Sequence, residues 1–170
     1  MQASSTGLLS AFGHDPRIAI REFHGDVRFN NAATTLDEAR LQMRIQADSM
    51  EVVDDISEKD REEIERRTSV EVLESERFPD IAYECLHVTG SGNGQRYWLA
   101  LNGELTLRGV TRSLPVNARL TVNGNSLRAS GEFSVKQSEF GIAAVTAIGG
   151  AIRVKDELKC TFDVLARKQV

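Results

Sequence analysis

The chain of 170 residues is long enough for one domain with a sizeable buried core. Its hydrophobic fraction of 41% and charged fraction of 27% are ordinary for a globular protein, which argues against a disordered or membrane-spanning chain. The net charge of −4 and the pI near 5.5 oppose a general nucleic-acid-binding surface, which needs an excess of positive charge. We therefore expect no nucleic-acid partner.

The amino-terminal residues lack the features of a secretory signal. Residues 1–7 have no cationic start, and the apolar stretch over residues 8–12 is too short for the hydrophobic region of a signal peptide. We therefore expect a cytoplasmic protein. The sequence contains no internal repeat and no linker, which favours a single domain.

Short segments with apolar residues at every second position predict the first strands. Ile18 and Ile20 form one such segment, a turn is predicted around residues 23–26, and residues 41–47 form another. Residues 81–85 continue this pattern after Pro79. These segments are typical of strands with one buried face.

Residues 57–74 interrupt the strands and predict one short helical segment. They are rich in helix-forming residues, and Ser57 is a suitable amino-terminal cap followed by acidic residues in the first turn. Thr68 and Glu71 match the capping-box spacing, which predicts that the helix breaks at Thr68 and restarts toward Leu73. The segment has few apolar residues, so we expect it to lie across a sheet edge or one barrel end.

Three consecutive segments between residues 98 and 135 also carry apolar residues at every second position. Because successive side chains of a strand point to opposite faces, they predict a sheet with one apolar and one polar face. The whole pattern gives about eight mostly antiparallel strands, in a sandwich or a closed barrel. The predicted apolar face comprises Leu99, Leu101, Gly103, Leu105, Leu107, Leu114, Val116, Ala118, Leu120, Val122, Leu127, Ala129, Gly131, Phe133 and Val135.

The sequence pattern leaves two interiors open. A barrel of about eight strands is just wide enough to be filled by side chains or to hold one small ligand. Gly103 and Gly131 lie at inward positions, where their small size leaves volume for a ligand. The alternative is that they mark bulges or tight bends in a packed sheet.

Residues 140–152 form an uncharged, glycine-bounded run that is too short to span a bilayer. We interpret it as a pliable apolar flap over the interior, able to contact a membrane transiently during loading. The alternative is a buried strand with an adjoining turn. Replacement of Ala144 and Ile148 by aspartate distinguishes the two, because only a flap would lose ligand uptake without loss of the fold.

The polar residues give little sign of chemistry. His14, His24 and His87 lack the paired spacing of a metal site, and no serine elbow or phosphate-binding glycine loop is present. Arg108 and Arg112, on either side of a glycine, can bind an anionic head group or finish a turn in salt bridges. We therefore expect no metal, no cofactor and no catalytic residue.

The two cysteines match no zinc pattern. In a cytoplasmic protein Cys85 and Cys160 are expected to be reduced thiols rather than a disulfide. Cys160 shares its parity with Leu158 and Phe162, which predicts a small core residue.

Several motifs, in order along the chain, resemble the YceI-like family of polyisoprenoid-binding, lipocalin-like barrels. They include the Gly-Glu-Leu-Thr-Leu-Arg-Gly-Val-Thr-Arg run over residues 103–112 and the segments 78–83, 138–142 and 154–163. The resemblance covers residues 12–167 as one domain, and leaves residues 1–11 as a segment that can form part of the first strand. The sequence departs from the family in two ways. Ser113 stands where proline is usual, and residues 1–12 do not match the secretory signal that many members carry.

The resemblance implies an eight-stranded antiparallel barrel whose interior holds the tail of an isoprenoid (polyprenyl or quinone-like) or of another long-chain amphiphile, including a fatty-acid-like lipid. It also implies a role for His14 in bonding a head group or holding a loop. On this basis the predicted ligand-binding residues are Leu99, Leu101, Leu105, Leu107, Leu114, Val116, Phe133, Phe140, Ile148, Phe162 and His14.

Binding without catalysis is therefore the leading hypothesis, with a hydrophobic small molecule as the partner. Two alternatives stay open: a stress-response or interaction module with a filled core and no ligand, and an enzyme acting on a bound lipid. An exposed sheet edge or the apolar flap could also pair two copies in a homodimer.

Overall fold

The computed structural model describes residues 5–7, 16–28, 39–143, 146–147 and 152–168. One α-helix, α1 (Glu58–Arg67), continues into a π-helical turn (Thr68–Leu73), and a 3-10 turn spans Gln137–Phe140. The strands are β1 (Ser5–Gly7), β2 (Ile18–Ile20), β3 (Phe23–Arg28), β4 (Arg40–Gln46), β5 (Met50–Val52), β6 (Asp80–Gly92), β7 (Arg96–Leu107), β8 (Val110–Asn123), β9 (Ser126–Lys136), β10 (Thr146–Ala147), β11 (Ile152–Val154) and β12 (Glu157–Arg167).

The main sheet is antiparallel and has the strand order β12-β9-β8-β7-β6-β4-β3. It curls strongly into half a barrel, so the predicted mainly β, lipocalin-like class with one helical segment is confirmed. Within the described residues this sheet has seven strands rather than the eight expected. The difference arises because β2 and β5 form a separate two-stranded sheet, and β1, β11 and β10 form a third.

Side-chain burial follows the predicted alternation on the central strands. On β7 the inward set from Leu99 to Leu107 is buried, and Trp98, Asn102 and Glu104 on the other face are exposed. The inward residues of β9 are half-buried except for Val135, which is buried. The three segments therefore form one sheet with an apolar inner face and a polar outer face, as predicted.

A β-bulge in β6 reverses this alternation part-way along the strand. Cys85 pairs with Gly103 and His87 pairs with Asn102, so Leu86 is the extra residue between them. Leu86 is exposed, whereas Cys85 and Val88 on either side of the bulge are both buried. The bulge keeps Val88 on the inner face, where an uninterrupted strand would point it outward.

The strands β2 and β3 form, with β4 and β5, one long antiparallel arm that bends in the middle. Backbone N–H groups of Arg21 and Gln46 donate to the carbonyls of Ser49 and Glu22, each at 3.0 Å, which bridges the two paired segments at the bend. The turn predicted at residues 23–26 was wrong, because these residues belong to β3 and pair with β4. Long-range pairing overrides the local preference of glycine and aspartate for turns.

The helix begins where predicted. The Ser57 hydroxyl accepts a hydrogen bond from the backbone N–H of Asp60 at 3.1 Å. The predicted break at Thr68 was wrong, because Thr68 is helical and the chain continues as the π-helical turn. The Thr68 hydroxyl donates to the Ile64 carbonyl at 2.7 Å, and Glu71 pairs with Arg67 at 3.1 Å, so neither side chain caps a new helix. Among the described residues, no helix is both long and apolar enough to cross a bilayer.

The helix lies over one end of the half-barrel and is tied to the arm. Glu65 Oε1 accepts the backbone N–H of Val52 at 2.8 Å, while the Arg61 guanidinium donates to the carbonyls of Val52 and Asp54. Ile64 and Leu73 pack into the core at this end of the sheet.

The β8–β9 ladder stops short of that end. It runs from Asn123 opposite Ser126 to Asn117 opposite Glu132, so the beginning of β8 pairs with β7 and the end of β9 pairs with β12. Phe140, just after β9, is buried in the core that these two diverging strand ends share. Pro115, which has no N–H to donate, lies in the part of β8 beyond the ladder.

Candidate functional site

The apolar inner face of the half-barrel is the candidate site, and it divides into two clusters along the strands. The helix-side cluster has the buried residues Ile18, Ala47, Met50, Val52, Leu73, Ile81, Leu105, Leu107, Val135, Phe140, Ile142 and Cys160. The far cluster has the buried residues Ala39, Cys85, Val88, Leu99, Leu101, Val116, Ala118 and Leu120. The helix packs on the first cluster, whereas among the described residues no helical residue contributes to the second.

The inner face is buried in the centre of the sheet and opens toward both edges. Central inward side chains such as Leu101 and Val116 are buried, whereas Leu41 on β4 and Phe162 on β12 are half-buried. On the edge strand β3, Phe23 pairs with an inward residue of β4 and is 48% exposed. We call this inner face of the described residues, which is buried on the central strands and partly exposed toward the edges, the apolar trough.

The predicted lining residues of the described chain all lie on the inner face or in its clusters. Leu105, Leu107 and Phe140 are buried in the helix-side cluster. Leu99, Leu101 and Val116 are buried in the far cluster, which Phe162 packs against, and Leu114 and Phe133 pack against both clusters. Leu114, Phe133 and Phe162 are half-buried and are therefore the members best placed to contact a ligand. The predicted residues His14 and Ile148 lie outside the described residues.

The two inward glycines do not leave empty volume, contrary to the interpretation from sequence. A Cβ on Gly103 would lie 2.6 Å from the ring carbon Cζ of Tyr83, and one on Gly131 would lie 2.8 Å from Cζ of Phe162. Each glycine is therefore covered by an aromatic ring from the neighbouring strand. The space expected for a ligand at this level of the barrel is occupied by these two rings.

Tyr83 marks the boundary between the two clusters and was not singled out from the sequence. Its hydroxyl donates to the carbonyls of Leu101 at 3.3 Å and Leu114 at 3.1 Å, so it links β6 to β7 and β8. Burial raises the pKa of the Tyr83 phenol above its ordinary value, which keeps the hydroxyl protonated as a donor. A tyrosine at an inward strand position is the signal that could have identified it.

Phe162 and Phe133 form the second half of this boundary. Their ring centroids are 6.3 Å apart and the rings are tilted by 45°, a normal arrangement for an aromatic pair. Together with Tyr83 they place three rings at mid-height of the trough, below the far cluster and above the helix-side cluster. A tail entering from the far end would meet this layer of rings, here called the aromatic floor.

The two arginines considered for an anionic head group do not come together as a site. Arg108 adopts a left-handed backbone conformation with φ 51° in the β7–β8 turn, pairs with Glu74 and donates to the Gly141 carbonyl. Arg112 is exposed and donates to the carbonyl of its neighbour Thr111 at 3.0 Å. Arg108 thus finishes a turn at the helix-side end, far from the open part of the trough.

The predicted flap over residues 140–152 is described only at its two ends and at residues 146–147. Phe140 and Ile142 are buried in the helix-side cluster, so the first residues of the run belong to the core. Thr146–Ala147 pairs with β11, which also pairs with β1. Ala144 and Ile148 lie outside the described residues, so their role in a flap stays a prediction.

The remaining polar candidates are dispersed. His24 and His87 are exposed, opposite Arg44 and Asn102 respectively. Within the described part of the chain, no three His, Cys, Asp or Glu residues are grouped to hold a metal ion. Cys85 and Cys160 are free, buried thiols, and Cys160 is in the core as predicted.

The comparison with known families decides the family of the protein that carries this trough. A family model for the YceI-like domain matches residues 4–166. The chain belongs to the YceI-like family. That assignment accounts for nearly the whole chain and confirms the resemblance found in the sequence.

Solved structures share the fold of this YceI-like chain at low sequence identity. BcnA from Burkholderia cenocepacia has a TM-score of 0.70 and 17% identity, covering 97% of this chain and 95% of that one. The YceI protein of Campylobacter jejuni has a TM-score of 0.67 and 14% identity, covering 91% and 85%. A polyisoprenoid-binding domain from Saccharophagus degradans has a TM-score of 0.55 and 10% identity, covering 76% and 77%. No curated protein matches the sequence.

Proposed function

We propose that this YceI-like protein binds, without transforming it, the hydrocarbon tail of an isoprenoid or a similar long-chain amphiphile. The observation that carries the proposal is the apolar trough, whose inward side chains are buried on the central strands and half-buried toward both edges. A solved structure of the same fold is that of a polyisoprenoid-binding domain, which supports the same class of ligand. A polyprenyl or quinone-like tail is our specific suggestion.

The far cluster is the part of the trough in which we place the tail. Its rim includes half-buried Tyr97 and Leu127, and its base is the aromatic floor. Tyr97 lies six residues before Gly103 on β7, which corresponds to about 20 Å of strand. The driving force is burial of apolar surface, about 0.8 kcal/mol per methylene before ordering costs. Affinity should therefore rise with tail length up to about 20 Å and then level off.

Titration with a series of polyprenols of increasing length tests this proposal directly. Leu127→Asp and Val164→Asp place a carboxylate on the inner face, and Ser134→Asp places one on the outer face as a matched control. The inner variants should bind at least about tenfold more weakly, because an unpaired carboxylate against hydrocarbon costs more than ~1.4 kcal/mol. Thermal unfolding of each variant checks that the fold is retained. Equal binding by inner and outer variants would contradict the proposal.

A filled core without a ligand is the second candidate function, as a structural or interaction module. The aromatic floor favours it, because rings occupy the volume over both inward glycines. Native mass spectrometry of protein purified from its own host separates the two candidates. An adduct of lipid mass supports the carrier, and a bare polypeptide together with no response to added polyprenol supports the filled core.

A further inference from the structure

The outer wall of the half-barrel carries a basic and apolar patch beside the far cluster. Register places Trp98 opposite Arg119, and Leu165 opposite Arg128. Arg128 also lies opposite Thr121 on β8, and Thr121 lies opposite Arg96 on β7, so Leu165, Arg128, Thr121 and Arg96 form one row across the sheet. We call this surface the Trp98 patch; its members are Trp98, Leu165, Arg96, Arg119, Arg128 and Arg167.

Two large apolar side chains of the patch face solvent. Trp98 is 60% exposed and Leu165 is 58% exposed, the largest exposures among the large hydrophobic residues of the described chain. They lie on the same side of the sheet, three strands apart, which is about 15 Å along the curved outer wall. Neither contributes to the inner clusters, so their exposure has no role in the core.

Positive charge surrounds these two side chains. Two carboxylates lie among or beside them: Asp163 pairs with Arg128 through two hydrogen bonds of 2.7 and 2.6 Å, and exposed Glu132 lies two residues along β9 from Ser130, the partner of Arg119. Among the described residues, Arg96, Arg119 and Arg167 make no ion pair. The patch therefore has a clear net positive charge although the whole chain is at −4.

The opposite end of the molecule has the opposite sign. The helix and the turn after it are rich in glutamate and aspartate, from Glu58 to Glu76, and several of these carboxylates pair with arginines of the same segment, such as Glu63 with Arg66. An anionic surface would attract the end with the Trp98 patch and repel the helix end. The charge distribution thus selects one orientation, with the outer wall beside the far cluster toward the surface.

We propose that the Trp98 patch docks on the surface of an anionic lipid bilayer. Tryptophan suits the membrane interface because its ring is apolar with a polar N–H, and arginine side chains attract anionic head groups. The inference rests on the proposed function for its purpose, since docking would hold the part of the half-barrel with the far cluster close to the bilayer from which a tail is taken. The occupant is the bilayer surface itself, not a bound molecule.

Trp98 is the single tryptophan of the chain, so its fluorescence reports on this patch alone. Titration with vesicles of phosphatidylcholine containing phosphatidylglycerol, and no isoprenoid, should shift the emission to the blue and reduce quenching by iodide. Vesicles of phosphatidylcholine alone should give no shift. Raising the salt from ~0.1 M to ~1 M should reverse the shift, because the Debye length falls from ~10 Å to ~3 Å.

Charge removal at and away from the patch provides the matched comparison. The triple variant Arg96→Gln, Arg119→Gln and Arg167→Gln should partition to anionic vesicles on the order of 100-fold more weakly, from about fivefold per arginine. The control triple variant changes the net charge equally with Lys59→Gln, Arg112→Gln and Lys155→Gln, three exposed cations elsewhere. It should bind as the parent does. Co-sedimentation also measures Trp98→Ser, which should bind more weakly.

Three results would overturn the proposal. They are equal binding to neutral and anionic vesicles, equal weakening by the two triple variants, and binding of heparin or DNA at the patch with no Trp98 shift on vesicles. The last outcome would assign the patch to a polyanion instead. Because these vesicles contain no cargo lipid, failure to dock leaves the polyprenol titration untouched, and failure to bind polyprenol leaves the docking result untouched.

Discussion

The aromatic ring over Gly131 should couple energetically to the glycine beneath it. A Cβ at position 131 would lie 2.8 Å from Cζ of Phe162 and would also crowd the carbonyl of Asn117. Gly131→Ala should therefore destabilise the protein by ~1–3 kcal/mol, the usual cost of overpacking. Phe162→Ala should cost ~2 kcal/mol, about half the value for a fully buried phenylalanine, because Phe162 is half-buried and also loses its pairing with Phe133.

The double variant isolates the contact between ring and methyl group. Without the Phe162 ring only the crowding against the Asn117 carbonyl remains, and that contribution is common to both backgrounds and cancels in the cycle. We expect Gly131→Ala to cost ~1 kcal/mol less in the Phe162→Ala background than in the parent. Urea unfolding followed by far-ultraviolet circular dichroism measures each free energy of unfolding, provided that the m-value is unchanged.

A control glycine distinguishes coupling from a general loss of stability. Gly124 has φ 53° in the β8–β9 turn, and a Cβ there would meet no atom within 4 Å. Gly124→Ala should cost stability through backbone strain alone and should be additive with Phe162→Ala. If Gly131→Ala is also additive within ~0.5 kcal/mol, the ring does not cover Gly131 and the aromatic floor is wrong.

Two further predictions follow from the pKa shifts. The Ser138 hydroxyl and backbone N–H donate to Asp156 and lower the pKa of its carboxyl below the ordinary value of an aspartate. Its contribution to stability is therefore present above the ordinary pKa and is lost as the pH falls through the lowered pKa. Asp156→Asn should flatten the acid side of the curve of stability against pH, and an unchanged curve would contradict this. Burial raises the pKa of the Cys85 and Cys160 thiols, so iodoacetamide at a pH near 8.5 should label them slowly in the folded protein and fast in urea, whereas equal rates would show that they are accessible.

The sequence predicts the central strands well because burial there is periodic and local. Alternation from residue 98 to 135 identifies which side chains face inward, and Ser57 marks the start of the helix. The sequence does not predict the bulge at Leu86, because no residue type is specific for an extra position in a strand. The turn expected at residues 23–26 failed for a related reason: glycine and aspartate have local preferences that pairing with β4 overrides.

The sequence predicted which face of the sheet the candidate lining residues occupy, but not how they pack, and their role in binding stays a prediction. Parity placed Leu114, Phe133 and Phe162 on the inner face, and that is where they lie. The sequence could not show that Phe162 and Tyr83 cover the two glycines, because this depends on which strands are neighbours and in which register. The Trp98 patch could not be predicted from the sequence for the same reason, since its arginines come from four separate strands.

The early end of the β8–β9 ladder has a consequence for where this sheet can open locally. Within the described residues, no ladder pair joins β8 to β9 beyond Asn117, and contacts in the helix-side cluster, which includes Phe140, hold these strand ends in place. Side-chain contacts alone can open at a smaller cost than a row of ladder bonds can break. The N–H groups of Ser113 and Ser134 point toward this gap, whereas those of Arg119 and Ser130 point into the ladder. The amide hydrogens of Ser113 and Ser134 should accordingly exchange sooner than those of Arg119 and Ser130, and the barrel wall would widen first at the helix end.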